Sequence, residues 1–118
     1  MKENILVALS KQFSVDIINV CSHIDTFKHG NLLANQLLRS GTSIGANIHE
    51  GNYAQSRADF ISKFQIALKE CYETDYWLDI FRTAEIITEE DYNNLYNQCC
   101  KIRRTLAASL NTAKANSN

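Results

Sequence analysis

The stretch QLLRSGTSIGANIHEG, from Gln36 to Gly51, and the stretch SRADFISKFQIALKECYETDYWL, from Ser56 to Leu78, decide the fold. From Phe60 onward, apolar or small residues recur in alternating steps of four and three, as in a heptad repeat. These positions are Phe60, Phe64, Ala67, Cys71, Thr74, Leu78 and Phe81. We therefore predict a long helix over about residues 56–86, beginning at a capping sequence that opens with Ser56.

Helical spacing of apolar residues continues on both sides of these stretches. It predicts further helices over about residues 3–27, 32–53 and 88–112. Gly30 and Gly51 lie where two of these helices should end, and Thr88 followed by three acidic residues is typical of a helix start. After about Leu110 the tail is polar and we expect it to be frayed.

Four long helices joined by short links predict an all-α protein with one domain, residues 1–118. The natural packing is an antiparallel, up-down-up-down four-helix bundle. Gly41 and Gly45 lie inside the second predicted helix, where glycine costs about 1 kcal/mol relative to alanine. Close packing against a neighbouring helix would compensate for that cost.

Composition excludes several classes of protein. The chain has 118 residues, no proline, 45% hydrophobic residues and a formal charge of −1. These values do not fit a collagen-like, disordered or disulfide-dense secreted chain, nor a general polycation. Neither a signal peptide nor a membrane-spanning stretch is apparent, and the four cysteines lack CxxC spacing. We expect a cytoplasmic protein that does not bind membranes and uses its thiols as small core residues.

Charge is segregated along the chain. Between Glu70 and Asp91 there are eight acidic residues and one basic residue, and after Asp91 there are four basic residues and no acid. Complementarity to the helix dipoles would explain this pattern. Alternatively, a ring of subunits would multiply the basic end into a collar for phosphates. The candidate phosphate-binding residues are Arg57, Lys63, Lys101, Arg103 and Arg104.

A polar stripe follows one side of the second predicted helix, away from its apolar side. It consists of Arg39, Ser43, Asn47 and Glu50. One interpretation is an internal or subunit-bridging hydrogen-bond network in which Arg39 pairs with a carboxylate such as Glu73. The other is a binding surface for a ligand, RNA or partner protein. Tyr72, Tyr76 and Trp77 are open to a similar choice, between core or interface packing and a stacking platform for bases.

Patterns that would indicate catalysis or metal binding are missing. The Glu-x-x-His pairs of di-iron bundles do not occur, and the three histidines lack metal-ligand spacing. The sequence also lacks a Gly-x-Ser-x-Gly elbow, a P-loop and a dinucleotide fingerprint. We expect no enzyme activity, no metal, no cofactor and no small-molecule substrate.

The two opening stretches resemble the bacterial four helix bundle family. Its signature runs approximately R-[SA]-x-x-S-I-x-x-N-I-x-E-[GA], and the segment from Arg39 to Gly51 matches it at each specified position. The family includes proteins encoded in intervening sequences of 23S rRNA genes. It also includes the accessory variability determinant proteins of diversity-generating retroelements.

The resemblance implies a four-helix protomer that assembles into a ring, with a homopentamer expected. Retroelement members bind their reverse transcriptase and use basic surfaces for nucleic acid. By this resemblance the chain is expected to be a non-enzymatic oligomeric adaptor that associates with RNA or a reverse transcriptase. The alternative is a protein-binding scaffold with no nucleic-acid role.

Overall fold

A computed structural model describes residues 2–116, with side chains described for residues 5–116. The described part of the chain contains five helices and no strand. The helices are α1 (Lys2–Ser22), α2 (Thr26–His29), α3 (Asn31–Asn52), α4 (Arg57–Thr83) and α5 (Glu89–Ala115). The predicted all-α class is thereby confirmed.

The starts of the two longest helices are capped by the residues that the sequence indicates. Ser56 Oγ accepts a hydrogen bond from the Asp59 backbone N–H at 3.1 Å. Thr88 Oγ1 accepts one from the Asp91 N–H at 3.0 Å. Each side chain satisfies one of the donors that a helix start leaves unpaired, which is why α4 and α5 begin where they do.

The first helix is shorter than its apolar pattern suggests. It ends at Ser22 rather than near Phe27, and the separate four-residue helix α2 follows. Asp25 causes the break, because its carboxylate accepts hydrogen bonds from the backbone N–H groups of Phe27 and Lys28, at 3.0 and 3.2 Å. Such local bonds compete with helix continuation. Gly30, with a φ of 80°, then separates α2 from α3.

The last helix is longer than expected. Rather than fraying after Leu110, α5 continues to Ala115, and the Asn116 N–H bonds to the Thr112 carbonyl at 3.1 Å. Arg57 Nη1 on α4 donates to the Ala113 carbonyl at 3.5 Å. This contact from another helix, together with the high helix propensity of alanine, explains why the final turn is ordered.

The long helices pack side by side into a body 52 Å long and 22 by 20 Å across. Among residues 2–116, α3 and α5 each neighbour both α1 and α4, whereas α1 and α4 are not neighbours of each other. α2 contacts α3. This arrangement is consistent with the predicted helical bundle.

The heptad-like positions of α4 form its buried side. Phe64, Ala67, Cys71, Thr74, Leu78 and Phe81 are buried and Phe60 is partly buried. The core around them is contributed by every long helix, with Phe13 and Ile17 of α1 and Leu95 of α5 among its fully buried residues.

Close packing at the glycines of α3 differs from one glycine to the next. A Cβ on Gly41 would lie 2.9 Å from Ile17 Cγ1, and a Cβ on Gly51 would lie 2.7 Å from the Phe64 ring. At Gly45 the nearest atom is Ser14 Oγ, at 3.3 Å. The predicted tight approach is therefore confirmed at Gly41, and Gly51 adds a tighter one against α4.

Candidate functional site

The Arg39 end of the polar stripe of α3 lies against α4. The Arg39 guanidinium forms an ion pair with Glu73, as predicted, and its Nη1 also lies 3.5 Å from Glu70 Oε2. Trp77 Nε1 donates to Glu73 Oε2 at 3.1 Å. Burial raises the pKa of Glu70 even though the nearby Arg39 charge lowers it. Arg39 and the two glutamates therefore form a partly buried ion-pair site that joins α3 to α4.

The remaining stripe residues bond locally. Ser43 Oγ donates to the Arg39 carbonyl at 2.6 Å, and Asn47 Nδ2 donates to the Ser43 carbonyl at 2.8 Å. Glu50 forms an ion pair with Lys63 of α4 at 3.4 Å. Only the two ends of the stripe reach α4, so Ser43 and Asn47 do not form the side-chain network between helices. Whether they contact another subunit or a ligand stays a prediction.

Two of the five candidate phosphate-binding residues form ion pairs within the chain. Lys63 is paired with Glu50, as described above, and both side chains are well exposed, so this pair is weak. Arg103 forms an ion pair with Asp75, and its guanidinium lies over the Tyr72 ring, 5.4 Å from the centroid. Arg103 Nη2 also contacts Cys100 Sγ at 3.3 Å. These contacts make the Arg103 guanidinium less accessible to a phosphate than an unpaired cation.

The other three candidates are exposed, and none of them has an ion pair within residues 5–116. Arg57 is at the start of α4, opposite Ala113, and Arg104 is about 14 Å further along α5 at 1.5 Å per residue. Lys101 and Arg104 project in directions about 60° apart on α5, and Arg103 lies about 100° from Arg104. The five cations thus do not form one patch, because Arg57 and Lys63 lie near the start of α4 whereas the three cations of α5 lie near its middle.

Half of the acidic residues in the 70–91 segment are likewise paired. Glu70 and Glu73 face Arg39, Asp75 faces Arg103, and Asp79 Oδ1 bonds to Arg82 at 3.0 Å. The other four surround the link between α4 and α5 and have no ion pair within the described side chains. They are Glu85, Glu89, Glu90 and Asp91. This link is therefore the acidic end of the molecule.

A buried polar cluster lies between α4 and α5, where sequence reasoning identified no site. Asp75 Oδ1 is buried without a hydrogen-bond partner, and burial raises the pKa of this carboxyl, although Cys99 and Arg103 lower it. Cys99 Sγ lies 3.6 Å from the Cys71 carbonyl, and contact with Cys71 together with burial raises the pKa of the Cys99 thiol. The Cys99 thiol is therefore a protonated core group.

The four cysteines are all buried and unbonded to one another, which confirms their predicted place in the core. Burial raises the pKa of Cys21 to about 11. Within the described part of the chain, no three His, Cys, Asp or Glu side chains are grouped so that they could hold a metal ion.

Large apolar side chains are exposed on α1, on α4 and around the two ends of α3, where Phe27, Leu32 and Tyr53 are each at least 75% exposed. The α1 face carries Val15, 44% exposed, and Ile18, 50% exposed, and the α4 face carries Tyr72, 59% exposed, and Tyr76, 57% exposed. By length and composition alone, the segment Ile5–Ser22 of α1 could cross a membrane, with a mean hydropathy of 1.3. Only 28% of that segment is buried within the chain, so much of the apolar surface of α1 is exposed.

A cavity of about 380 Å³ lies between the start of α4 and the end of α5. It is lined by Arg57, Phe60, Phe64, Ser109, Thr112 and Asn116, together with Ala113. Arg57 is thus a candidate phosphate-binding cation that borders this cavity. The polar residues of α5 that line the cavity, at positions 109, 112 and 116, have helical spacing. This spacing is the feature of the sequence from which a polar face at this end of α5 could have been predicted.

Comparison with known proteins identifies relatives of this chain. Residues 2–108 match the family model described as 23S rRNA-intervening sequence protein. The fold is similar to a crystal structure from Bacteroides thetaiotaomicron, of a protein with unknown function from the S23 ribosomal protein family, with a TM-score of 0.89. That protein is 43% identical, and the alignment covers 94% of this chain and 99% of the other. Among curated proteins no match was found.

Proposed function

The chain belongs to the 23S rRNA-intervening sequence protein family, and from that premise we propose that it is a non-enzymatic, homo-oligomeric adaptor acting in the cytoplasm. The four long helices form an up-down-up-down bundle, and copies of it assemble side by side into a ring, expected to be a pentamer. The ring associates with RNA or with a reverse-transcriptase complex.

The observation that carries the proposal is the pair of exposed apolar faces. Val7, Val15 and Ile18 lie within about 80° of one another around α1, and Tyr72 and Tyr76 lie about 40° apart around α4. Because α1 and α4 are not neighbours, the two faces are directed to different sides of the molecule. Contacts between two unlike faces are heterologous, and repeated heterologous contacts generate rings or filaments.

The dimensions support a stable contact. Each side of the protomer is 52 Å long and 20 to 22 Å wide. A stable interface buries roughly 800 Å² on each partner, which such a side provides. Tyrosine is also enriched at interfaces, because its ring supplies apolar area while its hydroxyl tolerates water.

The arrangement of charge supports a nucleic-acid role away from the acidic end of the ring. Arg57 lies at the start of α4 and Lys101 and Arg104 lie near the middle of α5, and none of them has an ion pair within the described side chains. The four unpaired acids surround the link between α4 and α5. In a ring with the helices parallel to its axis, these unpaired cations would be repeated in every subunit. Phosphates would then be attracted to these cations and repelled from the acidic end.

Assembly is tested by the mass of the protein in solution. We expect the wild type to have one oligomeric mass, and Ile18→Glu and Tyr76→Glu each to abolish it, because each variant spoils one of the two faces. Asn97→Glu, on the exposed side of α5, is the matched control and should assemble normally. Circular dichroism of each variant establishes that it is folded.

Mixing the two defective variants separates a heterologous contact from a symmetric one. Ile18→Glu keeps an intact α4 face and Tyr76→Glu keeps an intact α1 face, so the mixture should form a complex of one copy of each. A wild type that stays monomeric would contradict the assembly proposal.

RNA binding is tested by electrophoretic mobility of a structured RNA over a range of salt concentrations. The logarithm of the affinity should fall linearly with the logarithm of the salt concentration. Replacing Arg57, Lys101 or Arg104 by Gln removes one positive charge. Each single replacement should reduce the slope of log affinity against log salt concentration by about 1. If low salt gives no shift, the nucleic-acid role is wrong. A ring without RNA binding would leave the alternative, a protein scaffold whose acidic end around Glu85 to Asp91 engages a basic partner.

A further inference from the structure

The cavity beside Arg57 has the size of a ligand site. Its volume of about 380 Å³ lies within the range of roughly 300–1,000 Å³ that small-molecule sites occupy. Phe60 and Phe64 form its apolar part, and Arg57, Ser109, Thr112 and Asn116 supply polar groups from two different helices. A few polar groups around an apolar floor are the usual composition of such sites.

Arg57 provides a place for an anion. Its one hydrogen bond is the 3.5 Å contact to the Ala113 carbonyl, and it has no ion pair within the described side chains. It is the first residue of a 27-residue helix, where partial positive charge from the helix dipole adds to its own. Asp59 projects about 160° away around the same helix, so its carboxylate does not border the cavity.

The two phenylalanine rings provide an apolar surface. Their centroids are 4.2 Å apart and their planes are tilted by 35°, with Phe64 fully buried and Phe60 partly exposed. Phe64 is held in place by Gly51 of α3, where any side chain would collide with the ring. A supported aromatic ring with one accessible side is what an unpaired base stacks on.

Hydrogen-bonding groups on α5 complete the lining. The Ser109 hydroxyl and the Asn116 amide have no hydrogen bond within the described residues. Thr112 Oγ1 donates to the Ala108 carbonyl of its own helix at 3.1 Å, so it can still accept a bond. These donors and acceptors lie across the cavity from Phe60, where the edge of a base or a ribose hydroxyl would be.

From this combination we propose that the cavity binds a nucleoside monophosphate unit, with the phosphate on Arg57, the base on Phe60 and its edge or ribose on Ser109 and Asn116. The unit is either a free nucleotide or an unpaired residue of single-stranded RNA. In its RNA form the inference rests on the proposed function, and it specifies how an unpaired strand would be held at the start of α4.

The test measures binding of two probes, the four ribonucleoside 5′-monophosphates and a short fluorescein-labelled oligouridylate, to the full chain. Phe60→Leu keeps the apolar volume but removes the ring, and we expect it to weaken binding about fivefold or more. Arg57→Gln should weaken binding to a similar extent, and Ser109→Phe, which fills the cavity, should abolish it. The matched control Lys28→Gln removes one positive charge from α2, outside the cavity, and should change binding of either probe less than twofold.

Thermal unfolding of each variant shows whether it is folded. If Phe60→Leu destabilises the core, Ser109→Phe still tests whether binding requires the cavity. Binding of both probes, lost in the cavity variants, supports the proposal with free nucleotide as a source. Binding of the oligouridylate alone, lost in the same variants, supports it with RNA as the source. If neither probe binds, the proposal is wrong. It is also wrong if inorganic phosphate displaces the probe as effectively as a nucleotide does and if Phe60→Leu leaves binding unchanged.

The outcomes also distinguish this inference from the function proposed above. If the wild type forms the oligomer and shifts structured RNA but Ser109→Phe does both equally well, and no nucleotide binds, only the cavity inference is wrong. If the wild type is monomeric and shifts no RNA but binds nucleotides in the cavity, only the proposed adaptor function is wrong.

Discussion

The Thr74 hydroxyl donates a hydrogen bond to the Ser40 hydroxyl at 3.1 Å, in a part of the core where neither side chain is exposed to solvent. Ser40 Oγ in turn lies 3.4 Å from the Leu37 carbonyl of its own helix and donates to it. The pair joins α3 to α4 amid apolar side chains. Sliding one helix past the other would leave a buried hydroxyl unpaired, so the pair favours one register.

This pair should show strong energetic coupling. Ser40→Ala removes the acceptor of the Thr74 hydroxyl and should lower the free energy of unfolding by about 1–2 kcal/mol. Thr74→Val should cost less, because Ser40 keeps its bond to Leu37. The double variant should be more stable than the sum of the single losses implies, by about 0.5–1.5 kcal/mol. Urea unfolding measures all three, with Thr105→Val on α5 as the control, since Thr105 bonds only within its own helix. Additive losses would show that the hydroxyls do not act as a pair.

Two glycines of α3 should respond oppositely to alanine. At Gly51 the new Cβ would lie 2.7 Å from two atoms of the buried Phe64 ring, and the ring cannot move without disturbing the core. Gly51→Ala should therefore destabilise the protein by about 1–3 kcal/mol. At Gly45 the nearest atoms belong to small serine side chains at 3.3 Å or more. Gly45→Ala should be neutral or stabilising by up to about 1 kcal/mol, because alanine favours the helix. Chemical denaturation of the two variants in parallel measures both changes in the free energy of unfolding. Equal changes would contradict the claim that Gly51, but not Gly45, is in tight contact with a core side chain.

Asp75 should make stability depend on pH. Burial raises the pKa of its carboxyl in the folded protein above the ordinary 3.8, although Cys99 and Arg103 act in the opposite direction. The folded state therefore holds the proton to higher pH than the unfolded chain does, and stability is lost as pH rises from near 3.8 through the raised value. Asp75→Asn does not titrate, so the unfolding free energy of the wild type minus that of the variant should fall across this window. Urea unfolding at a series of pH values measures it. A difference that increases with pH would mean that the ion pair with Arg103 outweighs burial.

Asn47→Leu should separate the two interpretations of the polar stripe. Asn47 donates only to the Ser43 carbonyl of its own helix, so the protomer should keep its unfolding free energy within about 1 kcal/mol. Light scattering and RNA mobility then report on assembly and binding separately. Loss of the oligomer assigns the stripe to a subunit contact. An intact oligomer with weakened binding assigns it to a ligand surface, and an effect on neither excludes both interpretations.

Much of the fold follows from local pattern. The buried side of α4 was predictable from Phe64 to Phe81 because burial in a helix repeats with the turn of the helix. The starts of α4 and α5 were predictable because Ser56 and Thr88 act on backbone donors only three residues away. Interactions of this range are contained in the order of the residues.

The ends of two helices show where local pattern is insufficient. The apolar spacing of α1 continues past Ser22, but the Asp25 carboxylate bonds to nearby backbone and begins a separate short helix. Aspartate just before a helical segment is a capping signal, so this break was detectable in the sequence. The extension of α5 to Ala115 was not, because the Arg57 that contacts its last turn lies 56 residues earlier in the chain.

The sequence by itself determined which residues carry charge, and it also determined the helices that hold them and the family to which the chain belongs. Tertiary structure alone decided which of these charges have a partner in the chain. Lys63 and Arg103 form ion pairs with Glu50 and Asp75, while Arg57 borders a cavity. The reason is physical. An ion pair or a cavity depends on distances of a few ångströms between side chains far apart in the sequence, and only the packing of one helix against another sets those distances.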